Sequence, residues 1–203
     1  MGLQDNDRER VGYLMAYLFA DLLNQAPTQI RNNATDARNW IQQNVRTVQQ
    51  SRVTNAPKER MLRTPPFGGM CMFLYNAKTK DKLPYWDRFP LVIPIGGAPG
   101  GFLGMNLHYI SPIARARLFD AMDRAGVLKD GNIRASYELL NKASTLKLFK
   151  PCVKRYLNNY VKSSFISIYP EEYNVALFLP TERFVGAGKG RVYADSADKV
   201  GNK

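Results

Sequence analysis

Between Gly68 and Tyr109 the chain reads GGMCMFLYNAKTKDKLPYWDRFPLVIPIGGAPGGFLGMNLHY, its densest run of aromatic residues and glycines. Glycine and proline weaken helix interiors, whereas short strands joined by tight bends use them freely. Met70 to Tyr75 has the length and aromatic content of a strand, and the polar run Asn76 to Lys82 reads as an exposed hairpin loop. Leu91 to Ile95 is apolar, lies between Pro90 and Gly96, and contains Pro94. Proline brings no ladder donor, so this strand is expected at an edge or ending at a bulge. Phe102 to Ile110 alternates, with Leu103, Met105, Leu107 and Tyr109 facing one way and Gly104, Asn106 and His108 the other. Gly96 to Gly101 supplies the bend before it. Short twisted strands of this kind predict a small antiparallel β-barrel or curled sheet. Its expected packing anchors are Tyr85, Trp86, Phe89, Phe102 and Tyr109.

The flanks follow a period near 3.6 rather than two. Val11, Leu14, Met15, Leu18 and Leu22 share one face of a helix expected over Arg10 to Asn24. A second helix is expected over Thr35 to Val53, with Trp40, Ile41, Val45 and Val48 opposed by an amide-rich side. Thr54 to Pro66 holds three prolines and reads as a linker or extended arm. Beyond the glycine-rich module, Ser111 and Pro112 suit an N-cap and first helical residue. That helix is expected to end near Gly126, with Ile113, Ala116, Leu118, Phe119 and Met122 buried and Arg115, Arg117 and Arg124 largely outside. Further helices are expected from about Ile133 to Ala143, from Pro151 to Val161 and from Glu171 to Phe178, with a strand over Phe165 to Tyr169. From Gly186 onward the apolar pattern fades, and the tail is expected to be mobile unless a neighbour orders it. The class is therefore α+β, in four segments: an N-terminal helical region (1–56), a linker (57–66), an α+β core (67–185) and a flexible tail (186–203).

Charge limits the partners. The 203 residues include 29 Lys and Arg against 17 Asp and Glu, a net charge of +12, which favours an anionic partner such as nucleic acid or acidic protein surfaces. Between Leu139 and Tyr169 no acidic residue occurs, while Lys142, Lys147, Lys150, Lys154, Arg155 and Lys162 do. With Tyr156, Tyr160 and Phe165 interleaved, these are the candidate contacts to phosphates and bases, although helical spacing of the tyrosines fits core packing equally well. Cys71 and Cys152 have no metal-type spacing and are expected as buried thiols. The start MGLQDNDRER has neither the basic nor the apolar part of a secretory signal, and no apolar run approaches the roughly 20 residues needed to span a bilayer, so no membrane partner is expected.

Catalytic chemistry finds little support. His108 is the one histidine, no GxSxG elbow occurs, and His108 reads as a hydrogen-bonded packing residue. Asp81 and Asp87 lack a third carboxylate nearby to hold a divalent ion, and Asp87 suits a turn cap before Pro90 or a pairing with an arginine. Neither Gly96–Gly101 nor Gly188–Arg191 carries the GK[ST] ending of a phosphate cradle. A non-enzymatic chain is expected, without catalytic, cofactor-binding or metal-binding residues and without a small-molecule substrate.

The string Lys80 to Leu91, KDKLPYWDRFPL, followed by Gly100 to Tyr109, GGFLGMNLHY, resembles a block found in virion proteins of contractile-tailed, T-even-like bacteriophages. Phe178-Leu179-Pro180 and Phe184-Val185 resemble that family's closing segment. The resemblance implies a structural or assembly subunit in the virion, and in the host cytoplasm during assembly, with other virion proteins as multi-copy partners. Tail or baseplate is the leading expectation; the alternative is a DNA-binding protein of the head, neck or packaged DNA end.

Overall fold

The computed structural model describes residues 60–124, 128–129, 132–133 and 149–201. The helices expected over Arg10–Asn24 and Thr35–Val53, most of that over Ile133–Ala143, and the candidates Lys142 and Lys147 lie outside the described residues. In chain order the strands are β1 (Met61–Leu62), β2 (Met70–Met72), β3 (Trp86–Asp87), β4 (Leu91–Ala98), β5 (Gly101–Asn106), β6 (Leu128–Lys129), β7 (Asn132–Ile133), β8 (Val153–Leu157), β9 (Phe165–Ile168) and β10 (Phe184–Val185). The helices are α1 (Pro112–Arg124), α2 (Tyr173–Ala176) and α3 (Lys189–Gly201). Six strands form one antiparallel sheet in the order β1-β9-β2-β4-β5-β8, while β3 pairs with β10 and β6 with β7. The class is α+β as expected, but among the described residues β1 and β8 are the unpaired outer strands of the large sheet and no closed barrel forms.

Strand alternation sorts the core onto the sheet's two faces. Met70, Met72, Leu91, Ile93, Met105, Ile166 and Ile168 point to one face, where Leu118 and Met122 of α1 and Val175 of α2 close over them. Cys71, Phe73, Val92, Phe102, Tyr156 and Phe165 form the other, largely aromatic face. Phe73 sits at its centre, with ring centroids of Tyr156 and Phe165 at 5.1 and 5.0 Å in edge-on geometry. The five aromatic anchors are all buried but divide among three clusters: Phe89 on the helix-covered face, Trp86 and Phe102 on the aromatic one, and Tyr85 and Tyr109 around Val192 of α3.

Pro94 lies in a strand flanked by two others, which a missing N–H should forbid. The contradiction resolves because β2 reaches only Leu91 and Val92, so from Pro94 onward β4 is an edge on that side. The β4–β5 register also shifts between Pro94 and Gly96, the bulge expected there. Pro99-Gly100 then turns the chain, with Gly100 at φ 71°, the left-handed value that the third position of a type II turn requires.

Five expectations need correction. The strand expected over Phe102 to Ile110 ends at Asn106, and Leu107–Tyr109 is a 3-10 turn whose three side chains, His108 included, are all buried. Pro151–Val161 is not a helix: Val153–Leu157 forms β8 on the open edge of β5, followed by a 3-10 turn at Asn158–Tyr160. The tail from Gly186 holds the helix α3, with Val192 and Ser196 buried. Arg115, expected outside the buried side of α1, is fully buried, whereas Ile113 is 47% exposed. Part of the expected linker is strand β1, paired with β9, and Arg60 before it forms a buried two-pronged pair with Glu172 at 2.6 and 2.7 Å.

Candidate nucleic-acid interface

Strand β8 alternates between the two faces: Tyr156 joins the aromatic cluster, and Lys154 lies on the same side two residues earlier. Gly104, opposite Lys154 in β5, makes room for this. A Cβ there would stand 2.4 Å from Val92 Cγ1 and 3.2 Å from the Tyr156 ring, so Tyr156 packs directly on β5 only because the position is glycine. Beside these residues a cleft of about 580 Å³ opens. Trp86, Tyr85 and Tyr109 supply its aromatic wall, and Lys78, Lys154, Arg155 and Lys199 supply its cations. Lys199 reaches it from α3, on the turn of helix that follows buried Val192 and Ser196.

Lys154 is the cation drawn furthest from water of the four. Its ammonium stands 3.9 Å from the Tyr109 ring centroid and donates to the Pro151 carbonyl at 2.8 Å. Burial pushes its pKa down from 10.5 to about 8; the nearby Cys152 opposes this and the like charge of Lys199 adds to it. No carboxylate lies within 4.0 Å of Lys78, Lys154, Arg155 or Lys199 among the described residues. Asp87 also lines the cleft, but its oxygens are held by Phe89, Arg183, Asn106 and His108, so the cleft presents a net excess of positive charge.

At the inner wall of the cleft and behind it the polar groups are held by one another. Asp87 accepts from the backbone N–H groups of Phe89 (3.1 Å) and Arg183 (3.3 Å), from Asn106 Nδ2 (3.2 Å) and from His108 Nδ1 (2.7 Å). Nε2 on the far side of the ring is hydrogen-bonded with the Thr181 hydroxyl at 3.0 Å. An Asp–His–hydroxyl chain of this kind can pass a proton, but Thr181 is buried and neither it nor His108 lines the cleft. Its effect is to tie β3, the end of β5 and the Thr181 segment together. Asp87 thus caps the turn before Pro90 as expected, and its side-chain partners are His108 and Asn106 rather than an arginine. Arg115 closes a second cage: it donates to the carbonyls of Leu107, Ile110 and Leu177, to Tyr193 Oη at 3.2 Å and to Glu182 in a very short contact. Burial alone would raise the Glu182 carboxyl, but the charge of Arg115, the nearby His108 and the Arg115 hydrogen bond outweigh it and hold the group at about 2. Among the described residues no group of three or more His, Cys, Asp or Glu is placed to hold a metal, and no helix is long and apolar enough to cross a membrane.

Of the sequence-derived cations, Lys154 and Arg155 come together at the cleft, the latter also donating to the Pro99 carbonyl. Lys162 lines a smaller cleft of about 300 Å³ with Lys80 and Arg88, and Lys150 is exposed before β8. Lys78 and Lys199 were not among the candidates, because one lies in a polar loop and the other in a stretch read as tail. The signal for Lys199 was its helical spacing from Val192 and Ser196.

A family model described as phage T4 terminal DNA protecting protein matches residues 15–203. No curated protein and no solved structure matches the chain. Between the two placements read from the sequence, the match favours the DNA end over tail or baseplate. It covers all but the first residues, and the chain belongs to the phage T4 terminal DNA protecting protein family.

Proposed function

We propose that this protein binds the ends of linear phage DNA and shields them without cleaving the strand, acting on the phage genome in the host cell and carried in the virion. The observation that carries this reading is the positive cleft, where four cations and a single carboxylate, Asp87, line an aromatic wall and none of the four lies within 4.0 Å of a carboxylate among the described residues. Phosphates supply the missing negative charge, and aromatic rings accept bases of any sequence, as protection of an end requires. Family membership and the net charge of +12 support the same reading.

The test compares a linear duplex with a closed circle of the same sequence, both as binding competitors and as protected substrates for an added exonuclease. The linear form is expected to bind more tightly and to survive digestion in proportion to occupancy. Binding is expected to weaken with salt, with log K falling by about 0.9 per neutralised phosphate for each unit of log salt. Equal binding to circles and ends, or strand cleavage by the protein alone, would overturn the proposal.

A further inference from the structure

Resting on that reading, we infer that the cleft receives a single unpaired nucleotide at the DNA terminus, its phosphate on Lys154 and its base against the aromatic wall. Size sets the first constraint. A space of about 580 Å³ falls within the roughly 300–1,000 Å³ of sites that enclose small molecules, which suits one nucleotide rather than paired strands. Chemistry sets the second. The Lys154 ammonium has three donors; one goes to Pro151, the ring of Tyr109 lies beneath the group, and no carboxylate completes its shell among the described residues. Keeping a half-buried ammonium in this state works against folding, and a phosphate oxygen at Nζ would remove the deficit. Arg155 and Lys199 stand at the same cleft to meet further phosphate charge, and Trp86 and Tyr85 give the base an apolar wall.

This arrangement also explains how a sequence-tolerant site can favour ends. Taking a nucleotide out of a duplex interior costs a few kcal/mol of stacking and pairing, and the cost is least where the nucleotide is already unpaired. A terminal nucleotide stacks on one neighbour instead of two. The cleft needs no base-specific contact to distinguish an end from the middle of a strand.

The experiment uses the full chain with four DNAs of one sequence: a closed circle, a blunt duplex, and two duplexes bearing one unpaired nucleotide at each 5′ or at each 3′ end. The wild type is expected to bind one of the unpaired-end duplexes at least tenfold more tightly than the blunt one. Lys154→Met is expected to abolish that preference, and Lys199→Gln, on the exposed side of the cleft, to reduce it about threefold. Should Lys154→Met fail to fold, Lys199→Gln with Arg155→Gln carries the test, since both side chains are exposed. If the wild type prefers ends to circles but shows no preference for an unpaired nucleotide, or if the variants keep that preference, the cleft assignment is overturned while end binding stands. If the wild type does not prefer ends to circles, the end-binding reading itself fails.

Discussion

Arg115 and Lys154 are both cations drawn out of water, and the fold houses them in opposite ways. Arg115 has no exposed surface and gives its guanidinium protons to three carbonyls, a carboxylate and a tyrosine hydroxyl. Lys154 is half-buried, has one carbonyl and one ring, and opens into a cleft in which no carboxylate lies within 4.0 Å of it among the described residues. A cation with no exposed surface, enclosed by acceptors of its own fold, has nothing left to offer a partner. One held in a low-dielectric wall with donors to spare is poised to take an anion. The difference separates what holds this domain together from what it presents.

The largest effect is expected from opening the cage. Arg115→Met leaves the Glu182 carboxylate buried without its cation and strips donors from the carbonyls of Leu107, Ile110 and Leu177. Removing one partner of such a pair costs about 3–5 kcal/mol, to be read as a fall in the urea midpoint. Acid attacks the same cage from the other side. Glu182 titrates at about 2 in the folded chain against 4.5 when unfolded, so the unfolded state binds the extra proton between these values. The stabilisation is full above pH 4.5 and is lost as pH falls toward 2, an effect of about 3 kcal/mol. Unfolding measured from pH 5 to pH 2 should show this slope in the wild type and lose it in Glu182→Gln.

A smaller effect links the two regions. In Gly104→Ala the new Cβ would stand 2.4 Å from Val92 Cγ1, a buried side chain that cannot swing away, and would press on the Tyr156 ring. Overpacking of this kind costs about 1–3 kcal/mol. Because Tyr156 also lines the cleft, DNA-end affinity should fall together with the melting temperature. A drop in stability with affinity unchanged would mean that the cleft wall does not depend on this packing.

Which parts of this contrast were legible in the sequence follows from how each residue is fixed. The anchors Phe89 and Phe102 and the bulge after Pro94 were readable because alternation and proline chemistry are local. Arg115 was misplaced by its charge: it stands three, four and seven positions before Leu118, Phe119 and Met122, so periodicity alone puts it on their face, and Ile113 on the other. The cage that makes burial tolerable comes from residues up to 78 positions away, which no local pattern reports. Strand β8 departs from its helical pattern for a related reason. Tyr156 and Tyr160 fit a helix, and only pairing with the free edge of β5 decides for a strand. Lys154 was selected for its charge, but its cleft is assembled from β3, β8, α3 and the Asn76–Lys82 loop, which meet only in the folded chain.

The smallest stability effect sharpens the comparison most. Lys154→Met keeps the length of the side chain and removes an ammonium that burial disfavours. Unlike Arg115→Met it should be neutral or stabilising by up to about 1 kcal/mol, since no carboxylate loses a partner and part of the site is solvated. Its pH signature has a definite sign. The folded value of about 8 lies below the unfolded 10.5, so in the wild type the unfolded state binds more protons over that window and stability rises as pH increases through it. Tyr109, Cys152 and Lys199 face Lys154, with Lys78, Asp87 and Arg155 lining the same cleft, and neither buried Tyr109 nor Cys152, whose thiol burial pushes up to about 12, ionises in the folded chain below pH 10. Stability measured between pH 8 and 9.5 in wild type and Lys154→Met should therefore converge as pH rises. Bound phosphate should reverse the trend by favouring the charged form, so that DNA-end affinity declines above about pH 8 in the wild type and not in the variant. A wild-type curve parallel to that of Lys154→Met would place the ammonium in water and remove the distinction between the two cations.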